Sequence, residues 1–297
     1  KKFVLVGFID TDDIKSSTVE KQYGLKRFKN LNNLSNVIDA VIIATPTSSH
    51  YTIAKYFLEQ KKHVFIEKPI TSTIEEAKEL IHLANKFGLV GQVGHIERFN
   101  SAYINVKKIL KPMFIEAHRL SHYPQRGTDV SVVLDLMIHD IDIVLSIINS
   151  PIKSINANGT KVVSLSPDIV NARIEFENTC VANLTASRIS LKKMRKMRLF
   201  QRDSYISIDF DKGSSEQVKI VDYDKTNKYA LTLKDSNGKL KEIKITNYKK
   251  KDFNAIAEEH NDFYNSIIKK TNPEVSLREG LKALEVAILI LDKINND

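Results

Sequence analysis

Four short apolar runs in the first hundred residues, each stopped by a polar or proline-bearing turn, limit what this chain can become. Phe3-Val4-Leu5-Val6-Gly7-Phe8-Ile9 ends at Asp10, and Ala40-Val41-Ile42-Ile43-Ala44 ends at Thr45-Pro46. Val64-Phe65-Ile66 ends at Glu67-Lys68-Pro69, and Leu89-Val90-Gly91-Gln92-Val93 ends at Gly94-His95. Continuous apolar runs of this length suit strands covered on both faces. Helical patterns lie between them. Thr73-Ile74-Glu75-Glu76 spells a capping box, Ile74, Ala77, Leu80, Ile81 and Ala84 follow at helical spacing, and Gly88 is a stop. Thr47, Ser48 or Ser49 can cap a helix carrying Ile53, Ala54, Phe57 and Leu58. Such alternation predicts βαβ units, right-handed crossovers and a parallel sheet.

The pattern changes after residue 100. A helix (101–110), a strand (113–120) and a long apolar-striped helix (129–148) are followed by strand-like segments up to about residue 245. The clearest are 168–176, 179–189, 205–210 and 218–221, and two helices near 252–269 and 277–295 close the chain. The expected fold class is therefore α/β: a Rossmann-type parallel sheet in residues 1–100, then an α+β domain with a mainly antiparallel sheet in residues 101–297.

Composition excludes some classes. The apolar runs are far too short to span a bilayer, so no membrane association is expected. The single cysteine, Cys180, allows no internal disulfide and reads as a small core residue, which makes a cytoplasmic location the default. The net charge of +9 invites a nucleic-acid reading. The lysines are spread along the chain beside acids, however, and clusters such as 192–196 and 249–251 carry no reading motif, so no nucleic-acid partner is expected. A basic surface equally suits a phosphorylated small molecule.

No G-x-G-x-x-G occurs in the 297 residues. The run ending at Asp10 looks like the second strand of a dinucleotide fold, whose terminal acid holds the adenosine ribose hydroxyls. On that reading a first strand, glycine loop and helix should precede residue 1, since that strand is the centre of the sheet and its loop holds the pyrophosphate. The alternative is that Asp10 ends a true first strand of another α/β fold.

Strand ends in open α/β sheets are where ligands sit, so Lys68 can donate to a ligand oxygen or exchange a proton with it. Alone, it could equally be a surface lysine closing a strand. Asp135 and His139 are four apart in a helical pattern and share a face, either to meet one ligand or as a surface ion pair. Asp135, His139 and Asp140 have metal-ligand chemistry, but no further ligand follows at metal-site spacing, and no metal is expected.

Asp10, Ala44-Thr45-Pro46-Thr47-Ser48-Ser49-His50, Glu67-Lys68-Pro69 and Asp135-Leu136-Met137-Ile138-His139-Asp140, in this order and spacing, resemble the Gfo/Idh/MocA family of NAD(P)-dependent oxidoreductases. The likeness covers nearly the whole chain. Gly94-His95-Ile96-Glu97-Arg98-Phe99-Asn100 and Arg126-Gly127-Thr128-Asp129-Val130 look like the family's nucleotide-sugar branch, nearest to enzymes that oxidise the 3-hydroxyl of UDP-N-acetylglucosamine.

The resemblance implies a dehydrogenase in which Lys68, Asp135 and His139 surround one hydroxyl carbon. His139 would be the general base, Lys68 would stabilise the developing negative charge on oxygen, and Asp135 would orient its neighbours. The roles of Lys68 and His139 could be exchanged if burial lowers the lysine pKa. Thr45, Pro46 and His50 would line the cofactor path, with Glu67, Lys68 and His95 on the nicotinamide side. Asp10, followed by Thr11-Asp12-Asp13 and no arginine, favours NAD over NADP, because carboxylates repel a 2′-phosphate. Arg98, Arg119, Arg126 and Arg188 are candidates for a substrate diphosphate, each with an ordinary surface arginine as its alternative. The family often forms homodimers or homotetramers. The competing reading is a non-catalytic dinucleotide-binding regulator of the same fold.

Overall fold

The computed structural model describes residues 3–123, 130–227, 229–251 and 254–296. The chain forms two compact units: Lys1–His95 with Ala257–Leu281, and Ile96–Ile256 with Lys282–Asp297. The division near residue 100 is therefore not a single cut. A late segment returns to the first unit, a long-range association that local sequence patterns do not carry.

In the first unit, helices α1 (Asp13–Tyr23) and α2 (Leu31–Ser35) precede the alternation of β1 (Ala40–Ile43), α3 (Thr47–Glu59), β2 (His63–Glu67), α4 (Ile74–Phe87) and β3 (Gly91–Gly94). The strands pair in parallel in the order β1-β2-β3, with Ile43 opposite Ile66 and Glu67 opposite Gly94. Helix α4 is built as its sequence predicts. Thr73 and Glu76 form the reciprocal capping box, and Gly88 ends the helix at φ 64°, a left-handed conformation that glycine adopts without cost.

Residues 3–9 depart from the expected buried strand. Phe8 makes a single parallel bridge to Arg27, while Val4 and Leu5 are 87% and 66% exposed. Its backbone is held at residues 26–28, through Phe8 N–H to the Lys26 carbonyl at 3.0 Å and Phe28 N–H to the Phe8 carbonyl at 2.8 Å, and the Phe3 ring meets Tyr264 and Phe263 with centroids 5.2 and 6.4 Å away. A strand is buried by neighbours on both sides, and among the described residues none pairs with the other edge.

The second unit holds α5 (Ser101–Ile104), β4 (Phe114–Leu120), α6 (Ile138–Ile147), β5 (Ile152–Thr160), β6 (Ile169–Phe176), β7 (Val181–Ser187), β8 (Met194–Gln201), β9 (Ser204–Asp209), β10 (Ser214–Asp222), β11 (Leu231–Lys234) and β12 (Leu240–Tyr248). These strands form one nine-stranded sheet, order β11-β12-β10-β9-β8-β4-β7-β6-β5. Every pairing is antiparallel except β4 with β7. Two closing helices follow, α7 (Ala255–Lys269) and α8 (Leu277–Asn296), and α8 begins in the first unit and ends in the second. Alternate residues of β4, β6, β7, β8 and β9 pack with Met137, Ile141, Val144, Ala283, Ala287 and Ile290 into the core. Cys180 is buried, and burial pushes its thiol up to about 11, as suits a core residue.

The expected helix from 129 to 148 begins differently. Asp129 lies outside the described residues. Val133–Met137 forms a wide π-helical turn, and only from Ile138 does the chain wind as an α-helix. Such turns insert a residue into the helical register and recur at functional sites.

One loop is pinned by a buried acid. Asp168 Oδ2 accepts the backbone N–H groups of Val162, Val163 and Ser164 at 2.8, 2.7 and 2.9 Å, and Oδ1 accepts Arg188 Nε at 3.0 Å. Burial alone would raise its pKa, but hydrogen bonds from Ser164 and the two preceding amides outweigh burial and hold the carboxyl well below the usual carboxylate range. A depressed folded-state pKa adds stability that is fully present above the unfolded value, about 3.9, and is lost as pH falls below it. Asp168→Asn should therefore lower stability at neutral pH by about 3–5 kcal/mol, because Arg188 loses its buried counter-charge. Thermal melts across pH 2–7 check this: the gap between the native protein and the variant should narrow below about pH 4.

Candidate functional site

The parallel register of β1, β2 and β3 brings their carboxyl ends to one sheet edge. Thr45-Pro46 follows β1, Lys68 follows β2 and His95 follows β3. Lys68 is half-buried, and its backbone N–H donates to Glu67 Oε2 at 3.3 Å. The Glu67 carboxylate lies over Gly94, where a Cβ would stand 2.8 Å from Oε2. Glycine at position 94 is therefore what lets this carboxylate rest against the next strand.

A residue without any sequence signal joins them. His260, from α7, stands edge-on to Phe65 of β2, with ring centroids 5.3 Å apart. Burial lowers its pKa, and the Glu67 carboxylate acts in the opposite direction. Nearly two hundred residues separate His260 from Glu67, and only the return of 257–281 to this unit brings them together.

Thr45 and Pro46 are exposed at the edge, and the Thr45 and Ser49 hydroxyls stand 2.9 Å apart. His50 and His95 are each only 1% exposed, which is at odds with side chains that line a cofactor path. They are interior residues of this edge. Asp10 is exposed, one Oδ accepting the N–H of Asp12 at 2.8 Å, and an outward carboxylate after the paired Phe8 suits a ribose diol.

The acids that follow Asp10 have separate duties. Asp12 caps α1 through the N–H groups of Ile14 and Lys15, and Asp13 pairs with Arg27 at 2.7 Å. Arg27 also donates to the Asp10 carbonyl at 2.8 Å. An arginine from position 27 thus stands here, and the Asp13 carboxylate and the Asp10 backbone carbonyl occupy it.

In the second unit, Asp135 lies exposed on the π turn, and His139 is half-buried in the first turn of α6. Asp140 is not available as a ligand. Arg119 Nε and Nη2 grip its carboxylate at 2.9 and 2.8 Å, while Arg119 Nη1 reaches Glu97 at 2.8 Å. Burial works against the Arg119 charge, but Asp140 and Glu97 outweigh it and raise its pKa above the ordinary arginine value.

The arginines expected to meet a diphosphate are interior. Arg98 is paired in a fork with Asp142 at 2.6 and 2.9 Å. Arg188 binds Asp168, the Val130 carbonyl and Ser166. With Arg119 these three guanidiniums are committed to internal carboxylates, so the phosphate expectation is corrected for them. A buried arginine is kept only with its counter-charges, and the acids that supply them sit 21 to 44 residues away in the chain for Arg98 and Arg119. Arg126 lies outside the described residues. Among the described residues no helix is long and apolar enough to cross a membrane.

Residues 1–95 match the Gfo/Idh/MocA profile described as an oxidoreductase family with an NAD-binding Rossmann fold, and residues 88–216 match the family's C-terminal domain. The chain is 36% identical over 208 residues to the UDP-N-acetylglucosamine 3-dehydrogenase of Acidithiobacillus ferrooxidans, covering 69% of this chain and 66% of that protein. It is 30% identical over 169 residues to the scyllo-inositol 2-dehydrogenase (NAD(+)) of Bacillus subtilis, covering 52% of this chain and 49% of that one. The chain thus spans about two thirds or less of the length of these curated relatives. A solved structure of the Acidithiobacillus enzyme superimposes with a TM-score of 0.87 at 28% identity, covering 98% of this chain and 90% of that chain. With both domain profiles matched in succession, the chain belongs to the Gfo/Idh/MocA oxidoreductase family.

Proposed function

We propose that the protein is an NAD-dependent dehydrogenase acting on a secondary hydroxyl of a sugar nucleotide, with the 3-hydroxyl of UDP-N-acetylglucosamine supported by its 36% identity to the Acidithiobacillus enzyme. The observation that carries it is the sheet edge: Thr45-Pro46, Glu67-Lys68 and Gly94-His95 stand at the carboxyl ends of three adjacent parallel strands, where open α/β sheets bind ligands. Bound NAD supplies the hydride acceptor. Asp10 would hold the adenosine ribose, Thr45 and Pro46 would border the cofactor, and Glu67 and Lys68 would lie toward the nicotinamide. His95 supports that end from within.

The remaining chemistry belongs to the side chains. An alcohol must lose a proton as it is oxidised, and an imidazole with an unperturbed pKa of about 6.5 is the suited acceptor, which assigns the proton to His139. Lys68 donates to the reacting oxygen and offsets its growing negative charge. Asp135, one helical turn before His139, orients the substrate. The cofactor is NAD, since the outward carboxylate of Asp10 disfavours a 2′-phosphate. The protein would act as a homodimer or homotetramer in the cytoplasm.

Absorbance at the NADH band after mixing the protein with NAD and UDP-N-acetylglucosamine tests the reading. The expected result is NADH formation that falls by about 10²–10⁴ in kcat for His139→Asn, with NAD affinity unchanged. No reduction of NAD or NADP by any sugar nucleotide overturns it.

A further inference from the structure

His50 lies in α3 at 1% exposure, and each ring nitrogen is at hydrogen-bond distance from a backbone carbonyl: Nδ1 is 2.9 Å from the Pro69 oxygen and Nε2 is 2.8 Å from the Thr45 oxygen. These carbonyls belong to two different turns, the one that leaves β1 and the one that leaves β2. The second carries Lys68, the residue immediately before Pro69. Neither carbonyl can donate, so each bond needs a ring N–H, and an imidazole that bonds both carbonyls carries a proton on both nitrogens. The strands themselves are paired only up to Ile43–Ile66, and beyond that point the turns have no ladder between them. A single interior imidazole spans the gap.

We infer that His50 is a positioning residue: it clamps the Thr45 turn to the Lys68-Pro69 turn and so sets where the lysine ammonium stands. Its burial keeps it from touching cofactor or substrate, so its effect passes through Lys68. The catalytic part of this inference rests on the dehydrogenase reading above, whereas the mechanical part does not. The first turn of α3 is tied to the same point, because Ser49 donates from its backbone and its hydroxyl to the Pro46 carbonyl at 2.9 and 2.8 Å. The clamp therefore joins a rigid helix start to two strand ends. Phenylalanine at position 50 would fill the space without donating, and glutamine would restore a donor.

Hydrogen exchange read by mass spectrometry on His50→Phe tests the mechanical part. Amide exchange should rise together in residues 44–50 and in residues 67–73, while 78–87 of α4 stays as in the native protein. Faster exchange in only one of the two turns, or in neither, overturns the clamp. Kinetics test the catalytic part. The phenylalanine variant should lose about tenfold to a hundredfold in kcat, the scale expected of a lysine displaced by about 1 Å, with the KM for the sugar nucleotide nearly unchanged. His50→Gln should recover part of that loss. Unchanged kcat in His50→Phe overturns the positioning role. If the native protein oxidises no sugar nucleotide, the dehydrogenase reading fails, and the exchange experiment still decides the clamp.

Discussion

Lys68→Met is expected to lower kcat for sugar-nucleotide oxidation by about 10²–10³-fold while the melting temperature moves little. The lysine stands one residue past the end of β2, half-buried, beside a carboxylate that rests on the neighbouring strand. Methionine keeps the length and the apolar stem of the side chain, so packing is largely preserved. What it removes is the ammonium, the group proposed to meet negative charge as the hydroxyl loses its proton. An interaction strengthened in the transition state appears in kcat rather than in KM. Steady-state NADH formation, with a thermal melt by circular dichroism as the control for folding, reads both quantities. Normal turnover in this variant would take the lysine out of the mechanism.

Arg119→Met is expected to cost about 3–5 kcal/mol of folding stability. Arg119 is 2% exposed and is held by two carboxylates, Asp140 on α6 and Glu97. Its guanidinium also lies 5.8 Å from the centre of the Phe210 ring. Removing the cation leaves two acids in the interior without their counter-charge, and each must then stay charged there or take up a proton. Replacing all three groups together, Arg119→Met with Glu97→Met and Asp140→Leu, should recover much of the loss, because no unpaired charge then remains. Urea unfolding of the single and triple variants measures the difference. A single variant as stable as the native chain would mean that the network contributes little to folding.

The same arginines show where sequence reading stops. Arg98, Arg119 and Arg188 looked like phosphate ligands because an isolated guanidinium in a sequence has no visible partner. Their partners Asp142, Asp140 and Asp168 are brought in by folding. His260 is a parallel case, since nothing in α7 marks it as a neighbour of Glu67. The strand β8 was legible only as a cluster of basic residues. Its alternation of Met197 and Leu199 inward with Lys196 and Arg198 outward was hidden by the charge of the exposed face. By contrast, the capping box at Thr73, the stop at Gly88 and the strand ends at Glu67 and Gly94 were readable directly, because each depends on residues within a few positions of one another.

Local physics thus determined the alternation of strands and helices, their caps, and which residues stand at the carboxyl edge of the parallel sheet. Side-chain type, periodicity and turn chemistry act over a handful of residues, and a sequence displays them in full. Tertiary structure alone decided the use of each charged group and the return of 257–281 to the first unit. It also decided the exposure of 3–6 and the placing of His50 between two turns. Burial and hydrogen-bond pairing are properties of neighbours in space, and neighbours tens to hundreds of residues apart leave no trace in the local pattern of either partner.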